Sequence, residues 1–128
     1  MSEIYQTGSD GERLLAEYLL ARGRKVEPSD NKTFDFIVDG RYAEVKSSRG
    51  PYAKLGFVGL TDAQRHAMHH GPDFTLFVVC NTANPEALEV IEIPATSLAL
   101  EEPKVECTHY WYRSQLKRCR REPNAHDL

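Results

Sequence analysis

Hydrophobic and polar positions change period along this chain, and each period predicts an element. From Ser9 to Gly23, Leu14, Leu15, Tyr18 and Leu19 form one helical stripe, and Gly23 is placed to end the helix. Residues 1–8 read as a loose start. A short strand is expected near Arg24–Glu27, then a polar loop with Pro28, Asp30 and Asn31. From Thr33 to Lys46 two apolar runs flank Asp39-Gly40, a strong two-residue hairpin signal because both central positions need φ > 0. Thr61-Asp-Ala-Gln64 has a capping-box pattern and opens a second helix that stops at Gly71-Pro72. Phe74–Cys80 is almost continuously apolar and β-rich, which predicts a central strand buried on both faces. Asn81–Pro85 reads as a turn, Leu88–Ile93 as a strand with one wet face, and Pro94–Leu100 as a short helix. Val105–Tyr112 is the last expected strand, and Leu116–Arg121 an exposed basic tail. The order is α-β-β-β-α-β-β, an α/β fold with a mixed central sheet flanked by helices.

The hairpin carries the candidate chemistry. With Asp39-Gly40 as the turn, Val38 pairs with Arg41, Ile37 with Tyr42, Phe36 with Ala43, and Asp35 with Glu44. Side chains alternate faces along a strand, so Lys46 shares the face of Glu44. Directly opposed residues have Cβ atoms about 4.5–5.5 Å apart, and opposed like charges destabilise a sheet. A divalent cation between Asp35 and Glu44, with Lys46 as the adjacent cation, resolves that conflict.

Composition narrows the class. A chain of 128 residues fits one domain spanning 1–128, with a basic C-terminal segment at 113–128. No run of 18 apolar residues occurs, and the first residues lack a signal peptide's basic and apolar regions. The expectation is a cytoplasmic protein with no membrane partner. Cys80, Cys107 and Cys119 match no zinc spacing, and an odd count argues against a disulfide framework. Cys80 reads as a buried core thiol.

The formal charge of −3 is unevenly spread. Glu86–Glu106 holds six glutamates and one lysine, whereas Arg113–Arg121 holds five basic residues and no acid. A basic surface opposite an acidic one suits a phosphate backbone, and it also suits two ordinary solvated faces.

Asp35, eight residues, then Glu44-Val45-Lys46 resembles the Asp…Glu-x-Lys core of the PD-(D/E)xK nuclease superfamily. Gly11-Glu12 on the first helix, the strand end at Ser47-Ser48, and Leu60–Gln64 before a helix and the Phe74–Cys80 strand follow in the family's order. The likeness covers about residues 9–93, although Phe34 stands where the superfamily's name has proline. The layout is similar to NO VEIN-type nuclease domains and to restriction-endonuclease-like and Holliday-junction-resolvase domains.

That resemblance implies a restriction-endonuclease-like sheet and phosphodiester hydrolysis with Mg²⁺, or Mn²⁺, as cofactor. Asp35 and Glu44 would be direct metal ligands and the Val45 carbonyl a further oxygen. Lys46 would orient or help deprotonate the attacking water, or stabilise charge on the phosphate. The family's helix-one glutamate corresponds to Glu12, yet Ser9-x-x-Glu12 is also a capping box. Gln64 carries the same double reading. Ser47, Ser48, Arg49, Tyr52 and Lys54, beside the expected metal, are candidate phosphate contacts, as are Arg118, Arg120 and Arg121 of the tail. His66, His69 and His70 form no zinc pattern and read as a solvated helix face; Trp111 and Tyr112 read as core or as base-stacking rings.

The implied partner is nucleic acid, with DNA rather than RNA following from the resemblance alone. Three alternatives share the sequence: a binding module of the same fold without catalysis, a junction resolvase acting as a symmetric homodimer, and a toxin-like nuclease made with a neutralising partner. No sequence-reading module is present, so a backbone-contacting domain or one directed by a targeting protein is expected.

Overall fold

Asp39 and Gly40 both adopt positive φ, 51° and 82°, and the chain reverses there. Val38 then faces Arg41, Ile37 faces Tyr42, and Phe36 faces Ala43, the register that alternation predicts. The computed structural model describes residues 6–101, 104–105 and 109–121. In chain order its elements are α1 (Gln6–Ala21), β1 (Val26–Pro28), β2 (Phe36–Val38), β3 (Arg41–Ser47), β4 (Phe57–Leu60), α2 (Asp62–His70), β5 (Phe74–Cys80), β6 (Glu89–Pro94), α3 (Ala95–Leu98), β7 (Lys104–Val105), β8 (His109–Tyr112) and α4 (Arg113–Cys119). Among the described residues, no helix is long and apolar enough to cross a membrane.

A five-stranded sheet runs β1-β2-β3-β5-β6. β3 and β5 are parallel and every other neighbour is antiparallel, so the sheet is mixed. The β3–β5 crossover carries β4 and α2. All seven residues of β5 are buried, as its apolar run predicts. Leu15 and Leu19 of α1 cover one face, against Val38, Ala43, Phe77 and Val79. The other face buries Leu76, Val78, Ile91 and Ile93 in a cluster with Leu60, Leu98, Trp111 and Leu116. Cys80 is fully buried, and burial pushes its thiol up to about 11.

Four expectations need correction. The first helix begins at or before Gln6, so Ser9 lies inside it and neither residues 6–8 nor the Ser9–Glu12 capping box fit the predicted start. Phe57–Leu60, which the expected element order leaves out, is a strand of a second, antiparallel sheet ordered β4-β8-β7. The last predicted strand is seen as two pieces, β7 and β8, with 106–108 (and hence Cys107) outside the described residues. Arg113–Cys119 is a helix, not an exposed tail, because Leu116 is wholly buried, which contributes roughly 1.5–3 kcal/mol. The expected loose start at residues 1–5 and the tail at 122–128 also lie outside the described residues.

Candidate active site

The site forms where β2 leaves β3. Asp35 immediately precedes β2, and its N–H donates to the Ala43 carbonyl at 3.0 Å. One step further along β3, the Val45 N–H meets no backbone carbonyl of β2. It donates to Asp35 Oδ2 at 2.8 Å. The aspartate side chain therefore finishes the ladder, satisfying a strand donor that would otherwise be lost. In an extended residue the N–H and C=O point to the same edge, so the Val45 carbonyl also opens toward Asp35.

Glu44 and Lys46 occupy alternate β3 positions, facing away from the helix-covered Ala43. Glu44 is only 4% exposed. Lys46 Nζ stands 3.2 Å from Glu44 Oε2, and Gln64 Nε2 donates to the same oxygen. Gln64 both caps α2 and touches Glu44. Its Oε1 accepts from the Thr61 N–H at 3.0 Å and its own N–H donates to Thr61 Oγ1 at 3.2 Å, completing the capping box of α2. Its Nε2 also reaches the Thr33 carbonyl at 3.4 Å.

Glu12 arrives from the opposite face of the sheet. Its neighbour Gly11 lies so close to β3 that a Cβ there would stand 2.5 Å from Ser47 Cβ. That approach sets α1 down on the strand and brings the Glu12 carboxyl into hydrogen-bond contact with Asp35. Glu44 makes the same contact from its side. Carboxylates only accept, so each contact requires a proton. Burial first, then the hydrogen bond and charge of Asp35, push Glu12 up to about 7. The same causes push Glu44 up to about 8, with Lys46 pulling in the opposite direction. Glu12 and Glu44 thus meet Asp35 from the two faces of the sheet. Such clusters, costly to the fold, concentrate at functional sites.

The predicted phosphate contacts are not gathered here. Ser47 faces Gly11 and α1, away from Lys46. Ser48 continues the ladder, its N–H donating to the Val79 carbonyl at 2.9 Å. Arg49 and Lys54 are exposed. Tyr52 is buried in the core, its hydroxyl donating to the Arg113 carbonyl at 3.4 Å, away from the acids. Arg118 pairs with Glu101 at 2.6 Å and Arg121 with Glu92 at 2.8 Å, whereas Arg120 is exposed. His66, His69 and His70 stand on the exposed side of α2, and Trp111 is core. The packing role of Gly11 was missed. Its signal was a glycine inside a helix, which costs about 1 kcal/mol and marks a close approach.

Among the described residues, no group of three or more His, Cys, Asp or Glu side chains stands ready-made to hold a metal ion. The acids are instead bonded to one another, to Val45 N, to Gln64 and to Lys46. Their donor chemistry nevertheless fits one kind of guest. Asp35, Glu44, Glu12 and the Val45 carbonyl offer oxygen alone, the donor set of a hard divalent cation. Comparison with family models, curated proteins and solved structures gives no match to this chain.

Proposed function

We propose that the chain is a metal-dependent nuclease with a restriction-endonuclease-like core, hydrolysing phosphodiester bonds, with DNA as the expected polymer. The observation that carries this reading is the convergence of Asp35 and buried Glu44 beside Lys46, at the point where β2 splays from β3. Asp35 has a ladder role through the Val45 N–H, but that role does not require a second, buried carboxylate beside it. Asp35, Glu44 and the Val45 carbonyl would hold Mg²⁺ or Mn²⁺, with Glu12 joining directly or through water. A bound cation of this kind neutralises phosphate charge and lowers the pKa of water. In hydrolysis the water oxygen bonds to phosphorus, the P–O ester bond breaks, and the departing oxygen takes a proton. Lys46 orients the water and offers charge to the phosphate. Gln64 holds Glu44 in place.

The test is incubation of the purified protein with supercoiled, linear, single-stranded and four-way-junction DNA and with RNA, in Mg²⁺, Mn²⁺ or EDTA. Divalent-dependent cleavage that disappears in Lys46→Ala is expected. Absence of cleavage on every substrate, or cleavage undiminished in Lys46→Ala, would refute the proposal.

A further inference from the structure

The second sheet has an outer face that the core does not explain. Val58 and Trp111 pair across β4 and β8 and point inward, 5% and 0% exposed. Alternation therefore turns Phe57 and Tyr112, which also pair, to the outside. They are 58% and 44% exposed. A solvated sheet face is ordinarily polar, yet here two large rings sit side by side.

Beside them lies a cleft of about 880 Å³, lined by Tyr112, Leu55, Arg113, Lys117 and Arg120. Arg113 and Lys117 stand one turn apart on α4, and Arg120 lies just past its end. All three are exposed, and among the described residues none forms an ion pair, in contrast to Arg118 and Arg121. Among the described residues, the one acid of the cleft, Glu89, is occupied by the Tyr52 N–H at 3.1 Å and by Asn81 Nδ2 at 3.0 Å.

We propose that this surface binds a single strand of nucleic acid, with bases stacked on Phe57 and Tyr112 and phosphates held by Arg113, Lys117 and Arg120. Exposed rings interleaved with unpaired cations fit unpaired bases on a charged backbone; a duplex would hide its bases from the rings. An acidic polypeptide would use the cations and leave the rings idle. The proposal deepens the nuclease reading by naming the form of strand that is held. The link to the catalytic opening is β4 itself. It runs from Phe57 toward Thr61, whose cap holds Gln64 against Glu44. Four extended steps span about 13 Å, the distance a strand held on the rings has to cover to reach the cap beside Glu44.

The experiment is fluorescence anisotropy in EDTA with a labelled oligothymidine, a duplex of equal length and poly-glutamate, over a range of salt. The wild type is expected to prefer the oligothymidine. Phe57→Ala, at an exposed position, should weaken that binding by roughly 5- to 150-fold, the value of one base–aromatic stack. Arg113→Gln with Lys117→Gln and Arg120→Gln should reduce the log–log salt slope by about 2, as three lost contacts to a single strand require. Far-ultraviolet circular dichroism checks that each variant is folded, and Tyr112→Ser repeats the ring test from the partner strand. Equal or tighter binding of duplex or poly-glutamate, or unchanged affinity in folded Phe57→Ala and Tyr112→Ser, would overturn the proposal. Because binding is read without metal, it is separable from catalysis. Binding with the expected losses but no cleavage in Mg²⁺ or Mn²⁺ would sink the nuclease reading and leave the platform standing.

Discussion

Replacing Glu44 with glutamine should make the metal-free protein more stable at alkaline pH, although it alters a buried residue of the proposed active site. The sign follows from the proton. Glu44 is held up to about 8 in the fold against 4.5 in an unfolded chain. Between those values the folded protein keeps a proton that the unfolded chain has released, so stability falls as pH rises. The contribution is fully present below 4.5 and gone once pH passes about 8. At about 1.36 kcal/mol per pH unit, the loss is on the order of a few kcal/mol, with about 5 kcal/mol as its upper bound. Glutamine mimics the protonated acid: its oxygen accepts from Gln64 and its amide donates to Asp35. Urea unfolding in EDTA at about pH 5 and about pH 8.5 reads the difference. With an m value of about 1–3 kcal/mol/M, the variant's midpoint should lie about 1–3 M above wild type at the higher pH and close to it at the lower. A gap that does not change with pH, or a variant less stable at about pH 8.5, would refute the proton assignment.

Divalent cations should reverse this slope, since Mg²⁺ must displace the same protons; titration calorimetry in buffers of different ionisation heat should show proton release and an affinity that rises up to about pH 8. Asp35→Asn should abolish cleavage and keep the fold, because the amide oxygen still accepts from Val45. Asp35→Ala should cost about 1–3 kcal/mol through the orphaned N–H, a contrast that thermal melts can measure. Gly11→Ala should destabilise by about 1–3 kcal/mol through overpacking against Ser47, and pairing it with Ser47→Gly should recover much of the loss in a denaturant series.

The hairpin was legible because its information is local. Asp39-Gly40 sets the turn, alternation sets the faces, and together they bring Asp35 to Glu44 with Lys46 beside it. β4 was hidden because Phe57-Val-Gly-Leu60 contains a glycine and an outward aromatic, and its partner lies about fifty residues away. α4 was hidden because one buried leucine among five basic residues leaves almost no periodic signal, although tertiary burial of that leucine decides the matter. The Ser9–Glu12 pattern misled for the opposite reason. A capping motif is only a cap if the helix starts there, and this helix is already under way by Gln6. At Gln64 the same motif was right, and the side chain still had a second N–H to spend on Glu44.

That economy gives Gln64 a directional consequence. The Thr61 N–H can meet only an oxygen, so the amide cannot flip, and its NH₂ end is committed to Glu44. Glu44 Oε2 then receives two donors, Gln64 and Lys46, and has no room to carry a hydrogen of its own. A proton carried by Glu44 is thereby left to Oε1. The Glu44 carboxyl is therefore polarised, with one oxygen a receiver and the other left to exchange the proton; under the proposed function a cation would displace that proton. The start of α2 thus fixes which oxygen of the carboxylate it holds is left for proton exchange.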